Sequence, residues 1–152
     1  MKLNKVKRKI MGNIYANNND FKISVEDVEI KLVECCTYLG QFLTTDNNIA
    51  KEVSRRIGQG WATFGQSSHL LNDKKTPMCL KRKIVNGVIL QAMTCGSETW
   101  SLANKQRERL AVAQRNMERS MLGITRKEKR RNEWIREKTE VDDIMEKVDV
   151  MK

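Results

Sequence analysis

The apolar residues of this 152-residue chain repeat with one period before about residue 46 and another after it. That change constrains the fold more than any single motif does. Phe21, Ile23 and Val25 alternate with polar residues, and Val28, Ile30 and Leu32 do the same after Glu26-Asp27. Because strand side chains point alternately to opposite faces, a period of two predicts a β-hairpin closed by a short acidic turn. Thr37-Tyr38-Leu39-Gly40-Gln41-Phe42-Leu43 reads as one further short strand containing a glycine, and Asn17-Asn18-Asn19-Asp20 is a turn that sets the hairpin off from a basic N-terminus.

From Asp46 the spacing is helical. Ile49, Val53, Ile57, Trp61 and Phe64 form one stripe, with Asp46 or Asn47 as the cap, and Lys51, Arg55 and Arg56 fall off it toward solvent or a ligand. Thr76-Pro77 reads as a cap followed by proline at the first helical position, opening a second helix that runs to about Met93. Its expected core set is Leu80, Ile84, Val88 and Met93, with Lys81, Arg82 and Lys83 clustered in its second turn, and Cys95-Gly96 as its stop. Ser97 to Leu102 reads as an extended connector. Asn104 is the expected cap of a third helix with a buried stripe of Leu110, Ala113, Met117 and Met121, ended by Gly123. Arg126 to Lys138 is expected to be helical around Trp134 and Ile135. Thr139-x-x-Asp142 has the form of a capping box opening a short helix that buries Ile144 and Val148. The expected fold is mainly α with a small N-terminal β-hairpin and short strands. Three regions are expected: 1–45, 46–125, and 126–152 with basic and then acidic C-terminal helices.

The net charge is +10, and its distribution matters more than its size. Residues 1–10 carry a net +5, residues 11–50 a net −4, residues 51–138 a net +12 and residues 139–152 a net −3. A clustered cationic stretch of this kind attracts phosphate backbones. An integral membrane protein is not expected, because no apolar run approaches the roughly 20 residues of a spanning helix. The basic start lacks the apolar segment of a secretory signal. Cys35, Cys36, Cys79 and Cys95 form no C-x-x-C pair and His69 is near none of them, so reduced thiols are expected and no metal site. The expected location is nuclear or cytoplasmic.

Three constellations invite a catalytic reading. Val141-Asp142-Asp143 has the paired aspartates of two-metal polymerases, but it follows a capping threonine and precedes helical spacing, so acids at a helix N-terminus are the better reading. Gly58-Gln59-Gly60 is a fragment of a phosphate loop inside a helical pattern, where close packing is the better reading. His69 stands alone, with no Cys or Asp spacing to make a nucleophile pair. Two features bear on binding instead. Arg126-Lys127-Glu128-Lys129-Arg130-Arg131 holds five cations in six residues and suits a phosphate-binding face, a nuclear-localisation patch or a solvated helix. Trp61, Trp100 and Trp134 beside basic residues could stack bases, although core anchoring is the ordinary role of isolated tryptophans.

The order of several pieces resembles one family. Tyr38-Leu39-Gly40, Glu52 with Arg55-Arg56-Ile57, and Cys95-Gly96-Ser97-Glu98-Thr99-Trp100 resemble the region just after the palm of non-LTR (LINE-type, RTE-like) retrotransposon endonuclease–reverse transcriptases. The resemblance continues through Glu118-Arg119-Ser120-Met121-Leu122-Gly123-Ile124, Arg131-Asn132-Glu133-Trp134-Ile135-Arg136, and Thr139, Val141 and Asp143-Ile144. Asn4 to Met11 resembles the end of the palm, with Lys7 at the position of the lysine that protonates leaving pyrophosphate and Arg8 where a threonine is usual. The resemblance implies a thumb-like helical bundle and connecting segment, a truncated fragment of an RNA-directed DNA polymerase. The palm aspartates and the endonuclease lie upstream of the matched region.

The resulting expectation is a chain with no catalytic residues, no polymerase activity by itself and no cofactor, the parent enzyme using Mg. Its expected partner is an RNA or DNA template–primer duplex, contacted through Arg55, Arg56, Lys81, Arg82, Lys83, Arg126, Lys127, Lys129, Arg130 and Arg131. Two alternatives stand beside it. One is a stand-alone basic helical protein that binds RNA or a protein partner through Met117, Met121 and Trp134; the other is a degenerate element copy without function.

Overall fold

The computed structural model describes residues 9–12, 23–25, 28–38, 40–46 and 48–152. The expected turns at Asn17–Asp20 and Glu26-Asp27, Phe21, Asn47, and Lys7 with Arg8 lie outside the described residues. The fold is mainly α, and the chain divides into two compact units, Met1–Glu52 and Val53–Lys152.

The first unit carries the strands. β1 (Lys9–Ile10), β2 (Ile23–Val25) and β3 (Val28–Leu32) form a sheet in the order β1-β3-β2. β2 and β3 pair antiparallel with Ile23 opposite Ile30 and Val25 opposite Val28, the expected hairpin. β1 adds to the free edge of β3 in parallel, Lys9 opposite Lys31, an arrangement that alternation alone does not disclose. The expected single strand around Gly40 is instead a second hairpin, β4 (Cys35–Tyr38) against β5 (Gln41–Thr44), with Tyr38 opposite Gln41. Gly40 takes φ +82°, a left-handed conformation that reverses the chain rather than continuing a strand.

α1 (Ile49–Gln66) begins one or two residues later than expected, because Asn48 is the residue that caps it. The Asn48 side-chain oxygen accepts from Ala50 N at 3.1 Å, and Asp46 in turn accepts from Asn48 N at 3.2 Å. Buried Glu52 accepts from Phe42 N at 3.1 Å, fastening the first turn of α1 to β5.

The second unit is a helical bundle. Along α1, Val53 and Phe64 are buried as expected. After α2 (Ser68–Leu71), α3 (Met78–Ile84) starts with Pro77 itself in the cap position at φ −59°, ψ 142°, while Thr76 hydroxyl donates to Asp73. The expected continuous helix to Met93 is interrupted by a π-helical turn, Val85–Ile89, before α4 (Leu90–Thr94). Such a turn holds one residue more per hydrogen-bonded ring and rotates the helix face beyond it. The buried set is Lys81, Val85, Ile89, Leu90 and Met93, offset by one residue already before the π turn, while Leu80 and Val88, expected in the core, are 44% and 52% exposed.

Gly96, at φ +82°, ends this helix as expected. The connector is a short 3₁₀ turn, Ser97–Thr99, leading to fully enclosed Trp100. α5 (Asn104–Leu122) is entered from Ala103, one residue before the expected cap, and buries all four residues of its expected stripe. Gly123, at φ +67°, stops it, with Ile124 N donating back to Arg119 O at 3.0 Å.

Residues 126–138 do not form one helix. A 3₁₀ turn, Arg126–Glu128, and left-handed Lys129 (φ +48°) precede α6 (Asn132–Thr139). Thr139 is the last residue of α6, not the cap of the next helix. Left-handed Glu140 follows it, and Asp143 caps α7 (Ile144–Val150) by accepting from Met145 N at 2.8 Å. Helices α6 and α7 both pack on α5, burying Ile135, Ile144 and Val148.

Candidate nucleic-acid interface

The core stripe of α5 fixes what its opposite face presents. With Leu110, Ala113, Met117 and Met121 turned inward, a rotation of about 100° per residue brings Lys105, Arg109, Val112, Arg115, Asn116 and Arg119 together on the other side. The chain after α5 folds back over the C-terminal half of that face. Its return is built by local chemistry: Glu128 accepts from Thr125 N at 2.9 Å, so the single acid of the 126–131 run is turned onto its own turn. Lys129 then reverses the chain, and Arg119 donates to Arg130 O and to the Asn132 side-chain oxygen, each at 3.1 Å. Between the two segments lies a groove of about 310 Å³ lined by Val112, Arg115, Asn116, Arg119, Lys129, Arg130 and Asn132. Four cations line it and no carboxylate does. Arg130 is held over the Trp134 ring, its guanidinium carbon 5.2 Å from the ring centroid, an arrangement that fixes the cation without neutralising it.

The expected contact residues separate on this structure. Lys129 and Arg130 line the groove, and Lys127 and Arg131 are exposed on the same segment. The backbone of Arg126 opens the 3₁₀ turn, and its side chain lies outside the described part. Lys83 is exposed on α3, and Arg55 is half-buried on α1. Arg56 is buried, with its guanidinium against Gly96. Lys81 is buried as well; its ammonium donates to Met121 O at 3.2 Å, one of the carbonyls left over at the C-terminus of α5. Arg82 is ion-paired with Glu140. Arg56 and Lys81 are thus buried side chains rather than exposed cations, Lys81 lining a separate groove with Lys74 and Lys75. The grouping expected at Lys81-Arg82-Lys83 fails because consecutive residues on a helix face different directions. Arg115 and Arg119 join the groove without having been singled out; the complement of the α5 core stripe is the signal that carries them.

The Asp143 carboxylate and the Asp142 main chain serve the fold. Asp143 caps α7 and pairs with Arg136, and Asp142 N donates to the Asn86 side-chain oxygen at 3.2 Å. Met117 and Met121, expected as an alternative partner face, are core residues. Among the described residues no three His, Cys, Asp or Glu side chains gather as a metal site, and no helix is long and apolar enough to cross a membrane.

A buried polar cluster lies on the inward side of α5. Gln114 donates to Glu118 at 2.7 Å and to Asp142 O at 2.8 Å, and its oxygen accepts from Ile144 N at 2.9 Å. Thr139 hydroxyl sits 3.0 Å from Ile135 O and 3.4 Å from Glu118. Burial pushes the Glu118 carboxyl above the ordinary glutamate range, against the opposing pull of Gln114, Thr139 and Arg136.

Among proteins of known sequence, the chain is similar to an uncharacterized transposon-derived protein of Caenorhabditis elegans, 27% identical over 139 residues. That similarity covers 90% of this chain and spans about half the length of the relative. No protein-family model and no solved structure matches the chain. The likeness indicates a transposable-element origin.

Proposed function

We propose that this chain is the thumb and connecting region of a non-LTR, RTE-like reverse transcriptase, and that it holds a template–primer duplex by its phosphates without itself carrying the polymerase or endonuclease chemistry. The four-cation groove between α5 and residues 129–132 carries this reading. It gathers positive charge with no carboxylate lining it, and it is made from main-chain reversals that the fold fixes, as suits contact with a phosphate backbone. The similarity to a transposon-derived protein and the Cys95–Trp100 and Glu118–Ile124 segments support the same assignment.

Phosphate contact releases counterions, so affinity must fall with salt. Four phosphates engaged by this groove would give a log–log slope of about −3 to −4 for duplex DNA. Fluorescence anisotropy of the full chain against labelled duplexes of unrelated sequence, across a salt series, measures it. Similar affinity for all sequences with a steep slope is expected; a flat salt response, or no binding at low salt, would overturn the proposal.

A further inference from the structure

The basic groove does not end at Arg115. Through Val112 and Asn116 it runs on into a second groove of about 490 Å³, lined also by Ile57, Trp61, Lys105 and Arg109. Lys105, Arg109, Val112, Asn116 and Arg119 follow one another at helical spacing, so the combined trough extends roughly 21 Å along α5 at 1.5 Å per residue. Its two halves differ in chemistry. The half near Lys129 is cationic; the other is lined by the apolar Ile57, Trp61 and Val112 together with Lys105 and Arg109, with Glu108 the single carboxylate.

Trp61 decides what such a trough can hold. Of the three tryptophans it is the most open, 38% exposed, where Trp100 is enclosed and Trp134 is half-buried under Arg130. Its ring meets buried Phe64 edge-on, centroids 5.5 Å apart and planes at 63°, which steadies the indole while it still lines the groove. A duplex presents phosphates and stacked, enclosed bases, and has no use for an exposed ring. An unpaired strand offers phosphates and π faces together, and aromatic surface beside cations is the ordinary platform for it. We propose that this trough takes a single-stranded nucleic-acid segment, its phosphates lying among Arg115, Arg119, Lys129 and Arg130 and a base stacked on Trp61. The inference rests on the nucleic-acid reading above and narrows it to the unpaired strand that adjoins a template–primer duplex.

The test compares three labelled probes on the full chain at one low salt concentration: a short oligothymidylate, an abasic strand of equal length, and a blunt duplex. Oligothymidylate is expected to bind more tightly than the abasic strand, and Trp61→Ala to weaken it about five- to a hundredfold, the usual loss for one stacked base. The same change should leave the abasic strand and the duplex where they were, and Trp61→Tyr, which keeps a ring against Phe64, should restore most of the difference. Equal binding of oligothymidylate and abasic strand by the wild-type chain would overturn the stacking proposal while leaving phosphate contact standing. Binding of none of the three probes would overturn the nucleic-acid reading and this inference with it. Equal weakening of all three probes by Trp61→Ala, or self-association of the chain abolished by Trp61→Ala in sedimentation, would also overturn it, the latter naming a second copy as the occupant.

Discussion

Glu118 is an acid in the core with neutral partners on both oxygens, Gln114 on one and Thr139 on the other. Its proton affinity is raised by burial above that of the unfolded chain. A group whose folded pKa is raised binds protons more readily in the native state, so its contribution is fully present below the unfolded glutamate value of about 4.3 and is lost as the pH rises through the folded value. Glu118→Gln keeps the acceptor for Gln114 and a polar group for Thr139 while removing that titration. Its melting temperature should therefore exceed wild type at pH 7–8, with the gap narrowing below the carboxylate range; thermal melts across pH check it. Little of this was legible in the sequence. Glu118 stands among the charged residues of a basic helix, and only the packing of α6 and α7 on that side of α5 removes it from water.

At the scale of elements, α1 carries three glycines with different neighbours. A Cβ on Gly60 would lie 2.4 Å from Met93 Cγ and 2.8 Å from its sulfur, and Met93 is fully buried. Gly58 and Gly65 would meet nothing within 4 Å. Gly60→Ala is expected to destabilise by about 1–3 kcal/mol from overpacking, outweighing the better helix propensity of alanine. Gly58→Ala should stabilise by roughly 0.5–1 kcal/mol, since nothing there opposes that propensity. Urea denaturation of the two single variants reads both signs at once. The expectation of close packing at Gly58-Gln59-Gly60 thus holds for one glycine and not for the other. Stripe patterns served well where a helix is regular, as on α5. They failed between Leu80 and Val88, where the buried face is offset by one residue already at Lys81, before the π turn at Val85–Ile89, and no local residue type announces it.

For the whole molecule, the central excess of charge is real but only partly available. Lys81 is spent on the C-terminal carbonyls of α5, Arg56 is enclosed, and Arg82, Arg107 and Arg136 are paired with Glu140, Asp149 and Asp143. The Arg107–Asp149 pair raises the proton affinity of the guanidinium and holds the carboxyl below its usual range. Among the described residues, the α5 face and the 127–131 segment keep exposed cations together for a polyanion, and Lys74, Lys75, Lys83 and Lys138 are exposed elsewhere. Arg115→Ala combined with Lys129→Gly should leave the fold intact, glycine being well suited to the left-handed position of residue 129. The salt slope for duplex binding should then become shallower by about two phosphate equivalents, roughly 1.8. An unchanged slope in the same anisotropy series would place the contacts elsewhere. By itself the sequence determined the change from strands to helices near residue 46, the hairpin at Ile23–Leu32, the core stripe of α5 and its glycine stop, because each depends on residues a few positions apart. Tertiary structure alone decided the parallel pairing of β1, which face of α3 is buried, and which cations meet in one groove. Those depend on what packs against what, and a lysine that caps a helix is indistinguishable in sequence from one that awaits a phosphate.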